Sequence, residues 1–223
     1  MSSRHPGPLM LVGGAEWQPG CEFDAEMAAR AGSEVLILPT AAAYENPGLA
    51  VAHAESWFDS LGAKARGLMV LTRTDAENPE LAEAVSTSRF IYLSGGSALH
   101  LKSVLKGSAV WAALLSAWRG GAVVAGSSAG AMVLTDPMVD PRGGAFTLGL
   151  GLVEGMAVVP HYGTYSEGKA HRTVGMAPAD LPVVGIDEKT AAIREPDGTW
   201  RTAGAGRVIV YLAGAQVGLD VLP

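Results

Sequence analysis

The sequence contains little of what disulfide-stabilised, membrane-spanning or nucleic-acid-binding proteins require. Cys21 is its only cysteine, so an intramolecular disulfide is excluded, and a single cysteine is typical of a reducing compartment. Charged residues make up only 17% of the chain, the net charge is −6, and lysines and arginines form no cluster, which argues against a nucleic-acid partner. The longest uncharged run, residues 120–135, is too short and too polar to cross a membrane.

The N-terminal residues also lack the apolar core of a secretory signal peptide. We therefore expect a cytoplasmic protein that binds neither nucleic acid nor a membrane. Cys21 follows a Pro-Gly pair and precedes an acidic helix start, so we interpret it as structural or incidental rather than as a nucleophile.

The residues that are abundant indicate a large core and many tight turns. Apolar residues make up 48% of the chain, and there are 29 glycines. We expect one domain over residues 1–223. In the first half, short apolar strands alternate with helices, which is the pattern of a parallel sheet covered by helices on both faces. The predicted strands are residues 9–12, 34–40, 65–71, 89–93 and 122–127, and the predicted helices are residues 24–31, 48–61, 79–85, 98–106 and 109–118.

The second half has a different pattern. Residues 136–151 are rich in Pro, Gly and Asp and predict a loop or a small hairpin. Two further apolar strands flank a short polar helix, and the C-terminal strands alternate with turns, as in a hairpin or meander. We therefore predict an α/β fold, a three-layer α/β/α sandwich with a mainly parallel sheet and a C-terminal hairpin or meander. The strands of this half are residues 156–160, 182–186, 191–194, 199–202 and 208–212, and the helix is residues 167–174.

A candidate nucleophile lies in the turn between the strand at 122–127 and the apolar helix that follows. The stretch Gly126-Ser127-Ser128-Ala129-Gly130 is a G-x-S-x-G pattern in the strand–turn–helix context of a nucleophile elbow. A tight turn of this kind strains the serine backbone, and bulky neighbours would clash there. The helix N-terminus behind Ser128 offers free N–H groups. Because the same pattern also occurs in ordinary small-residue turns, Ser128 needs partners to be convincing.

His161 is the candidate general base. A serine nucleophile needs a base, and the base needs an orienting acid. Of the five histidines, His161 alone directly follows an apolar strand, which predicts that it lies on the same sheet edge as Ser128. His53 and His100 fall in predicted helices, where a surface position is the ordinary outcome.

The acid is less clearly indicated. Asp187 and Glu188 directly follow an apolar strand, and adjacent residues leaving a strand point in opposite directions, so only one of them can face His161. Spacing does not decide between the two, and a solvated turn is the alternative for both. The other candidates, which lie between the serine and the histidine in the chain, are Asp136, Asp140 and Glu154.

Two backbone N–H groups are candidates for stabilising an oxyanion. Ala129 directly follows the nucleophile, and Gly96 lies after the strand at 89–93, where two glycines allow substrate to approach the backbone closely. A turn capped by Ser97 is the alternative interpretation, and both can hold. A second glycine pair, Gly13 and Gly14, follows the first strand without a phosphate-binding pattern, so we interpret it as a plain turn.

Five blocks of the sequence together carry a resemblance to a known family: residues 92–99, 125–131, 149–155, 159–162 and 185–191. In this order they resemble peptidase family S51, the group of the cyanophycinases and the aspartyl dipeptidases (dipeptidase E). The resemblance covers most of the chain and implies a Ser-His-Glu triad on a scaffold related to class I glutamine amidotransferases. Carried over residue by residue, it implies Ser128 as nucleophile, His161 as base and Glu188 as acid, with no metal and no cofactor. The order serine, histidine, acid differs from that of α/β-hydrolases.

The resemblance also implies cleavage next to an Asp-type residue, and hence a cation in the site. In cyanophycinases the histidine lies in an Asp-Gln-His-Phe block followed by several spaced arginines. Here Val-Pro-His161-Tyr is followed only by Lys169, His171 and Arg172, a form closer to the aspartyl dipeptidases. We therefore expect a serine peptidase acting on small peptides with an N-terminal Asp, with Arg172 as the first candidate for the substrate carboxylate and Lys169 as the second. A solvated helix face is the alternative for both.

Three alternative functions stay open: a cyanophycinase-like exopeptidase on β-aspartyl-arginine material, another serine acyl hydrolase acting on small metabolites, and a non-catalytic binding module on the same scaffold. Substrate profiling separates the hydrolases, and an unreactive Ser128 would favour the binding module. The sequence permits a homodimer. Residues 41–47 and 135–146 are candidate loops flanking the site.

Overall fold

The computed structural model describes residues 5–164 and 167–223, apart from the side chains of residues 167–171. None of the helices in this part of the chain is both long and apolar enough to cross a membrane. The strands are β1 (Leu9–Val12), β2 (Glu34–Leu38), β3 (Lys64–Gly67), β4 (Phe90–Leu93), β5 (Val123–Ser127), β6 (Thr135–Asp136), β7 (Met138–Val139), β8 (Phe146–Thr147), β9 (Val153–Glu154), β10 (Ala157–Val159), β11 (Val183–Ile186), β12 (Thr190–Arg194), β13 (Trp200–Gly204), β14 (Val208–Leu212) and β15 (Ala215–Val217). The α-helices are α1 (Phe23–Ala31), α2 (Pro47–Ser60), α3 (Arg73–Ala76), α4 (Pro79–Ser86), α5 (Ala98–Leu105), α6 (Ala109–Arg119), α7 (Ala129–Val133) and α8 (Glu167–Met176).

The central sheet of the described residues has seven strands in the order β13-β12-β1-β5-β4-β2-β3. The five strands from the first half of the chain all run parallel, as predicted, whereas β12 and β13 join antiparallel on the far side of β1. β1, β4 and β5 are buried throughout, which accounts for their continuous rather than alternating apolar sequence.

Successive residues of the central strands enter two separate hydrophobic cores. Met10 and Tyr92 point to the face covered by α1 and α2, where they pack in one core with Phe58. Leu11 and Leu93 point to the opposite face, which is covered by α3 to α7 and by strands from the second half of the chain. Alternation along each strand therefore builds a layer on either side of the sheet. This is the α/β sandwich that the sequence predicts.

The strands that precede His161 and Glu188 belong to a second sheet, in the order β10-β11-β14-β15. The prediction that His161 lies on the edge of the main sheet is therefore wrong. Both sides of β1 are already paired, with parallel β5 and antiparallel β12, so β10 finds no open edge beside β1. It pairs in parallel with β11 instead, and β11 pairs antiparallel with β14.

The segments predicted to form hairpins do so. β7 and β8 pair antiparallel within the segment rich in Pro, Gly and Asp. β12 pairs with β13 in the main sheet and β14 with β15 in the second sheet, so the C-terminal hairpins are confirmed but are divided between two sheets. The predicted strand at 65–71 is shorter than expected. It ends at Gly67 because the Val70 N–H donates to the Leu68 carbonyl, 2.8 Å away, in a tight turn.

Asp24 is a fully buried carboxyl group on α1. Its Oδ2 accepts a hydrogen bond from the Trp57 indole N–H at 2.9 Å, while its Oδ1 has no partner among the described residues. Burial raises the pKa of Asp24 well above its ordinary value of 3.8, because the ionised form would lose its hydration without gaining a neighbouring cation. The core therefore favours the neutral form of Asp24 over the ionised form.

We expect this group to make the protein less stable as pH rises. Above pH 3.8 the unfolded chain releases the Asp24 proton, whereas the folded protein keeps it until the raised pKa is reached. In that window the free energy of unfolding should fall by up to about 1.4 kcal/mol per pH unit from this group alone. Asp24→Asn cannot ionise and should remove that slope, while Asp59→Asn, an exposed change on α2, should keep it. Urea denaturation at a series of pH values measures the slopes, and an unchanged slope in Asp24→Asn would contradict a buried neutral acid.

Candidate active site

Ser128 occupies the turn between β5 and α7 with φ 49° and ψ −106°. This is a strained conformation for a residue with a side chain. The two glycines of the motif are required by close contacts. A Cβ on Gly126 would lie 2.5 Å from the Gly130 carbonyl carbon, and a Cβ on Gly130 would lie 2.5 Å from the Leu93 carbonyl oxygen. The turn therefore has the strained geometry expected of a nucleophile elbow.

The structure brings Ser128, His161 and Glu188 into one hydrogen-bonded chain. Ser128 Oγ lies 2.8 Å from His161 Nε2, and His161 Nδ1 lies 2.8 Å from Glu188 Oε1. A carboxylate can only accept, so Nδ1 carries the proton of the second hydrogen bond. Nε2 is then left as the acceptor for the Ser128 hydroxyl. The side chains of His161 and Glu188 are about one-third exposed, so substrate and water can reach them.

Asp187 points away from this chain, which decides between the two acids that the sequence left open. Its Oδ2 accepts the backbone N–H of Arg207 at 2.9 Å, on the opposite side of the strand end. Glu188, one residue later, faces His161. The expectation that only one of the two adjacent carboxylates can face the histidine is confirmed.

The Gly13–Gly14 turn at the end of β1 anchors all three segments of the site. The carbonyl oxygen of Val12 accepts the Ser128 N–H at 2.9 Å, that of Gly13 accepts the His161 N–H at 2.7 Å, and that of Gly14 accepts the N–H of Lys189, the residue after Glu188, at 2.8 Å. The turn is therefore more than the plain turn that we inferred from the sequence. The signal that was missed is the position of two glycines at the carboxyl end of a central parallel strand, where sites of such sheets form.

Gly14 is a glycine for a second reason. Its φ is 112°, and a Cβ there would lie 2.1 Å from His161 Cε1. The imidazole ring therefore packs directly on the Gly14 backbone. His161 and Lys189 themselves have φ values of 53° and 55°, so each of the three N–H groups held by this turn comes from a non-glycine residue in left-handed backbone.

The two candidate oxyanion donors lie on neighbouring turns. The N–H groups of Ala129 and Gly96 have no acceptor among the described residues, whereas the N–H of Gly95 donates to Glu16 Oε1 at 2.9 Å. Gly96 has φ 133°, and a Cβ there would lie 2.4 Å from the Ala41 carbonyl oxygen. Ser97 also caps α5, accepting the His100 N–H at 3.3 Å, so this turn has the capping role as well.

A cavity of about 430 Å³ opens beside Ser128 and His161. Asp140 and Arg142, from the β7–β8 hairpin, and Arg172, from α8, supply charged side chains to its lining. Arg142 binds Asp140 through two hydrogen bonds of 2.9 and 2.6 Å, and this guanidinium lowers the pKa of Asp140 to about 2. Arg142 was not among the residues predicted to form the site, although its segment, residues 135–146, was predicted to flank it.

Of the two predicted substrate-binding side chains, the structure describes one. Arg172 lines the cavity, is exposed, and makes no ion pair with any described residue. The side chain of Lys169 lies outside the described residues. In the described part of the chain, His, Cys, Asp and Glu side chains form no group of three suited to hold a metal ion.

Three residues that we rejected as nucleophile or base on the basis of the sequence do not line this cavity. Cys21 is buried, and burial raises the pKa of its thiol to about 11, so it stays protonated and unreactive. His53 is exposed on α2, as expected. His100 was expected on the surface, but it is half-buried. Its Nε2 lies 2.9 Å from the Leu71 carbonyl oxygen, and the Tyr44 ring packs edge-on against it.

The model of peptidase family S51 matches residues 9–200, which includes every residue of the hydrogen-bonded chain. The protein belongs to peptidase family S51. Among curated proteins, it is 29% identical to a cyanophycinase of Synechococcus elongatus over 93% of this chain and 69% of that protein. It is 28% identical to a cyanophycinase of Trichormus variabilis over 91% of this chain and 72% of that one. Membership of family S51 identifies the protein as a serine-type peptidase.

Two solved structures resemble this S51 protein over nearly their whole length. A peptidase from an acI-B1 actinobacterium has a TM-score of 0.82 at 30% identity, covering 96% of this chain and 98% of the other. A putative peptidase E from Listeria monocytogenes EGD-e has a TM-score of 0.65 at 18% identity, covering 93% and 98%, and this second likeness speaks to the fold alone.

Gly14→Ala should impair the site without unfolding the protein. The new Cβ would displace the His161 ring and break its contact with Ser128, so we expect labelling of Ser128 by a fluorophosphonate to slow by roughly 100-fold or more. Gly121→Ala is the matched control, since Gly121 also has positive φ, at 99°, but nothing lies within 4 Å of its added Cβ. Labelling rates of the two variants, with thermal unfolding as the check on folding, measure the difference. Equal rates would show that the His161 position does not depend on Gly14.

Proposed function

We propose that this S51 family member hydrolyses small peptides with an N-terminal Asp through a Ser128-His161-Glu188 triad and an acyl-enzyme. The observation that carries the proposal is the hydrogen-bonded chain from Ser128 Oγ through the imidazole to the Glu188 carboxylate, with two contacts of 2.8 Å. A hydroxyl is a weak nucleophile by itself, and this arrangement gives it a base within reach and gives the base an orienting acid.

In the first step, Ser128 Oγ attacks the carbonyl carbon of the scissile amide, and its proton passes to His161 Nε2. Glu188 keeps the Nδ1 proton in place and stabilises the imidazolium that forms. The N–H groups of Ala129 and Gly96 donate to the developing oxyanion. Both are free of other acceptors among the described residues, and Ala129 is also the first residue of α7.

In the second step, the imidazolium returns its proton to the leaving amine nitrogen as the C–N bond breaks. Water then takes the place of the amine. His161 removes a proton from it, the acyl-enzyme is hydrolysed, and Ser128 regains its hydrogen. Every proton in this sequence moves through Nε2, whose partner atom is already at hydrogen-bond distance in the structure.

The charges of the cavity support an acidic substrate. Asp140 and Arg142 offset each other through their paired hydrogen bonds, so among the Asp, Glu, Lys and Arg side chains of the described lining Arg172 is the one without a counter-charge. We infer that Arg172 binds the side-chain carboxylate of the N-terminal Asp. Lys169, on the same helix, is the second candidate.

A cyanophycinase-like activity on β-aspartyl-arginine material is the second candidate function. The curated relatives at 28% and 29% identity are cyanophycinases, and this favours it. The described lining argues in the other direction. A substrate arginine needs a carboxylate partner, and in that lining the carboxylate is Asp140, which Arg142 already occupies.

Substrate profiling with a serine variant tests the proposal. Wild-type protein should cleave Asp-Xaa dipeptides, and Ser128→Ala should lose activity by on the order of a million-fold, as when triad members act as a unit. Ser103→Ala, an exposed serine on α5, serves as the control and should match wild type. The panel also contains β-aspartyl-arginine and p-nitrophenyl acetate.

Each substrate points to a different function. Cleavage of β-aspartyl-arginine in preference to Asp-Xaa would replace the first candidate with the second. Cleavage of the ester alone would indicate another serine acyl hydrolase. No cleavage by wild type, together with an unreactive Ser128, would overturn the catalytic proposal and leave a binding module.

Arg172→Ala tests the inferred carboxylate contact. A charge-assisted hydrogen bond contributes roughly 1.5–3 kcal/mol, so we expect KM for Asp-Xaa peptides to increase by roughly 10- to 100-fold. Hydrolysis of p-nitrophenyl acetate, which has no such carboxylate, should stay unchanged. Arg119→Ala removes a positive charge from an exposed position outside the cavity lining and is the matched control. An equal loss with both substrates would show that Arg172 acts on the fold rather than on the acidic group.

A further inference from the structure

Glu16 lies beside the candidate site but is not part of the cavity lining. It follows the Gly13–Gly14 turn, between Ala15 and Trp17, whose φ values are 51° and 59°. Its half-buried carboxylate accepts two hydrogen bonds. Oε2 accepts the Ser127 hydroxyl at 2.7 Å, and Oε1 accepts the Gly95 N–H at 2.9 Å. Both oxygens are thus engaged by protein groups rather than directed at the cavity.

The two groups that Glu16 binds belong to the two turns that carry the candidate oxyanion donors. Ser127 directly precedes Ser128 in the elbow, and Gly95 directly precedes Gly96. The turns touch each other, since a Cβ added to Gly95 would lie 3.5 Å from Ser128 Cβ. One carboxylate therefore joins the elbow to the turn after β4.

The turn after β4 is held at several points. The Ser94 hydroxyl donates to the Gly95 carbonyl, the oxygen of the central Gly95–Gly96 peptide, at 3.2 Å. The Ser94 N–H donates to the Leu38 carbonyl at 3.2 Å, and the Ser97 N–H donates to the Ala41 carbonyl at 2.8 Å, so both ends are held. The two residues between them are glycines, whose backbone rotates more freely than that of any other residue. Among the described residues, the acceptor that holds the Gly95 N–H is Glu16.

We propose that Glu16 is a positioning residue that fixes the Ser94–Gly95 peptide, and with it the Gly95 Cα from which the next peptide starts, so that the Gly96 N–H and the Ala129 N–H point at the same oxyanion. The proposal rests on the function proposed above and adds a residue to it. A carboxylate suits this task because it accepts from a hydroxyl and an amide at once. The negative charge of Glu16 repels a nearby oxyanion, so Glu16 can favour the reaction only by orienting the N–H donors and not by electrostatic attraction.

Glu16→Ala should lower kcat for the best substrate of the panel, with KM changed by less than about twofold. Loss of one oxyanion donor costs roughly 100- to 1,000-fold in kcat, and a misaligned donor costs less, so we expect roughly 10- to 100-fold. Glu16→Gln keeps an acceptor for the Gly95 N–H and can donate to Ser127 Oγ, so it should recover most of kcat. If Glu16→Gln is as slow as Glu16→Ala, the charge is what matters and the proposal is wrong.

A peptide aldehyde gives a readout that a purely structural role would not move. Its adduct with Ser128 places an oxygen at the oxyanion position, so its Ki should rise in Glu16→Ala in parallel with the loss in kcat. The affinity for the product peptide, which forms no adduct, should stay constant. Parallel weakening of both ligands would indicate a general disturbance of the site and would overturn the proposal.

A double-mutant cycle tests the bridge itself. Ser127→Ala removes one of the two hydrogen bonds and should lower kcat less than Glu16→Ala does. The double variant should be no slower than Glu16→Ala alone, because both changes break the same connection. Multiplicative losses would show that the two residues act independently and would overturn the bridge. If Glu16→Ala does not fold, the kcat of Glu16→Gln and Ser127→Ala decides the question, and wild-type rates in Ser127→Ala would count against the proposal.

Glu22→Ala is the matched control, since Glu22 lies in the same segment, is exposed, and accepts the Gly20 N–H at 3.0 Å. It should keep wild-type kcat. The outcomes separate the two proposals. Wild-type protein that neither cleaves the panel nor binds the aldehyde would refute the proposed function and this inference together. A reactive wild type whose Glu16 variants match it would refute this inference alone.

Discussion

Three consecutive carbonyl oxygens at the end of β1 hold the segments of the site in register. Those of Val12, Gly13 and Gly14 accept the N–H groups of Ser128, His161 and Lys189. All three donors lie in left-handed backbone, a conformation that persists only when surrounding contacts over-determine it. The side-chain distances of 2.8 Å follow from these backbone positions, since a shift of about 1 Å in any one segment would break the chain of hydrogen bonds.

The central position of β1 explains how a second sheet comes to supply the candidate base, His161, and the candidate acid, Glu188. With β5 on one side and β12 on the other, β1 has no free edge, and only the carbonyls beyond its end are open to new partners. The second sheet shares the hydrophobic core on one face of the main sheet, where Val158 and Val184 are buried. The turns that follow β10 and β11 are thereby held over the end of β1. Packing between the two sheets brings the turns after β10 and β11 close to the end of β1, and their hydrogen bonds to the Gly13–Gly14 turn fix their exact positions.

Local sequence was enough to predict the longer helices, most of the strands and the elbow turn, because each depends on neighbours in the chain. The short helix α3 and the short strands β6, β9 and β15 were not predicted. The alternation of apolar strands and helices predicted the parallel half of the main sheet, and the position of His161 after a strand singled it out from the other histidines. The pairing of strands that are distant in the sequence could not be predicted. No local signal shows that β1 is flanked on both sides, so the second sheet was missed. Glu16 and Arg142 were missed because their roles depend on partners distant in sequence or on a loop with no regular pattern.

The hydrogen bonds at the end of β1 join parts of the chain that are far apart in sequence, from Gly14 to Lys189. Only a fragment that reaches from the Gly13–Gly14 turn to Glu188, most of the chain, contains the serine, the histidine, the glutamate and the turn that aligns them. Contacts of such long range form late in folding, and a growing chain has nothing to align before its residue 189 has emerged and docked. A peptidase assembled in this way is inert while it is being made.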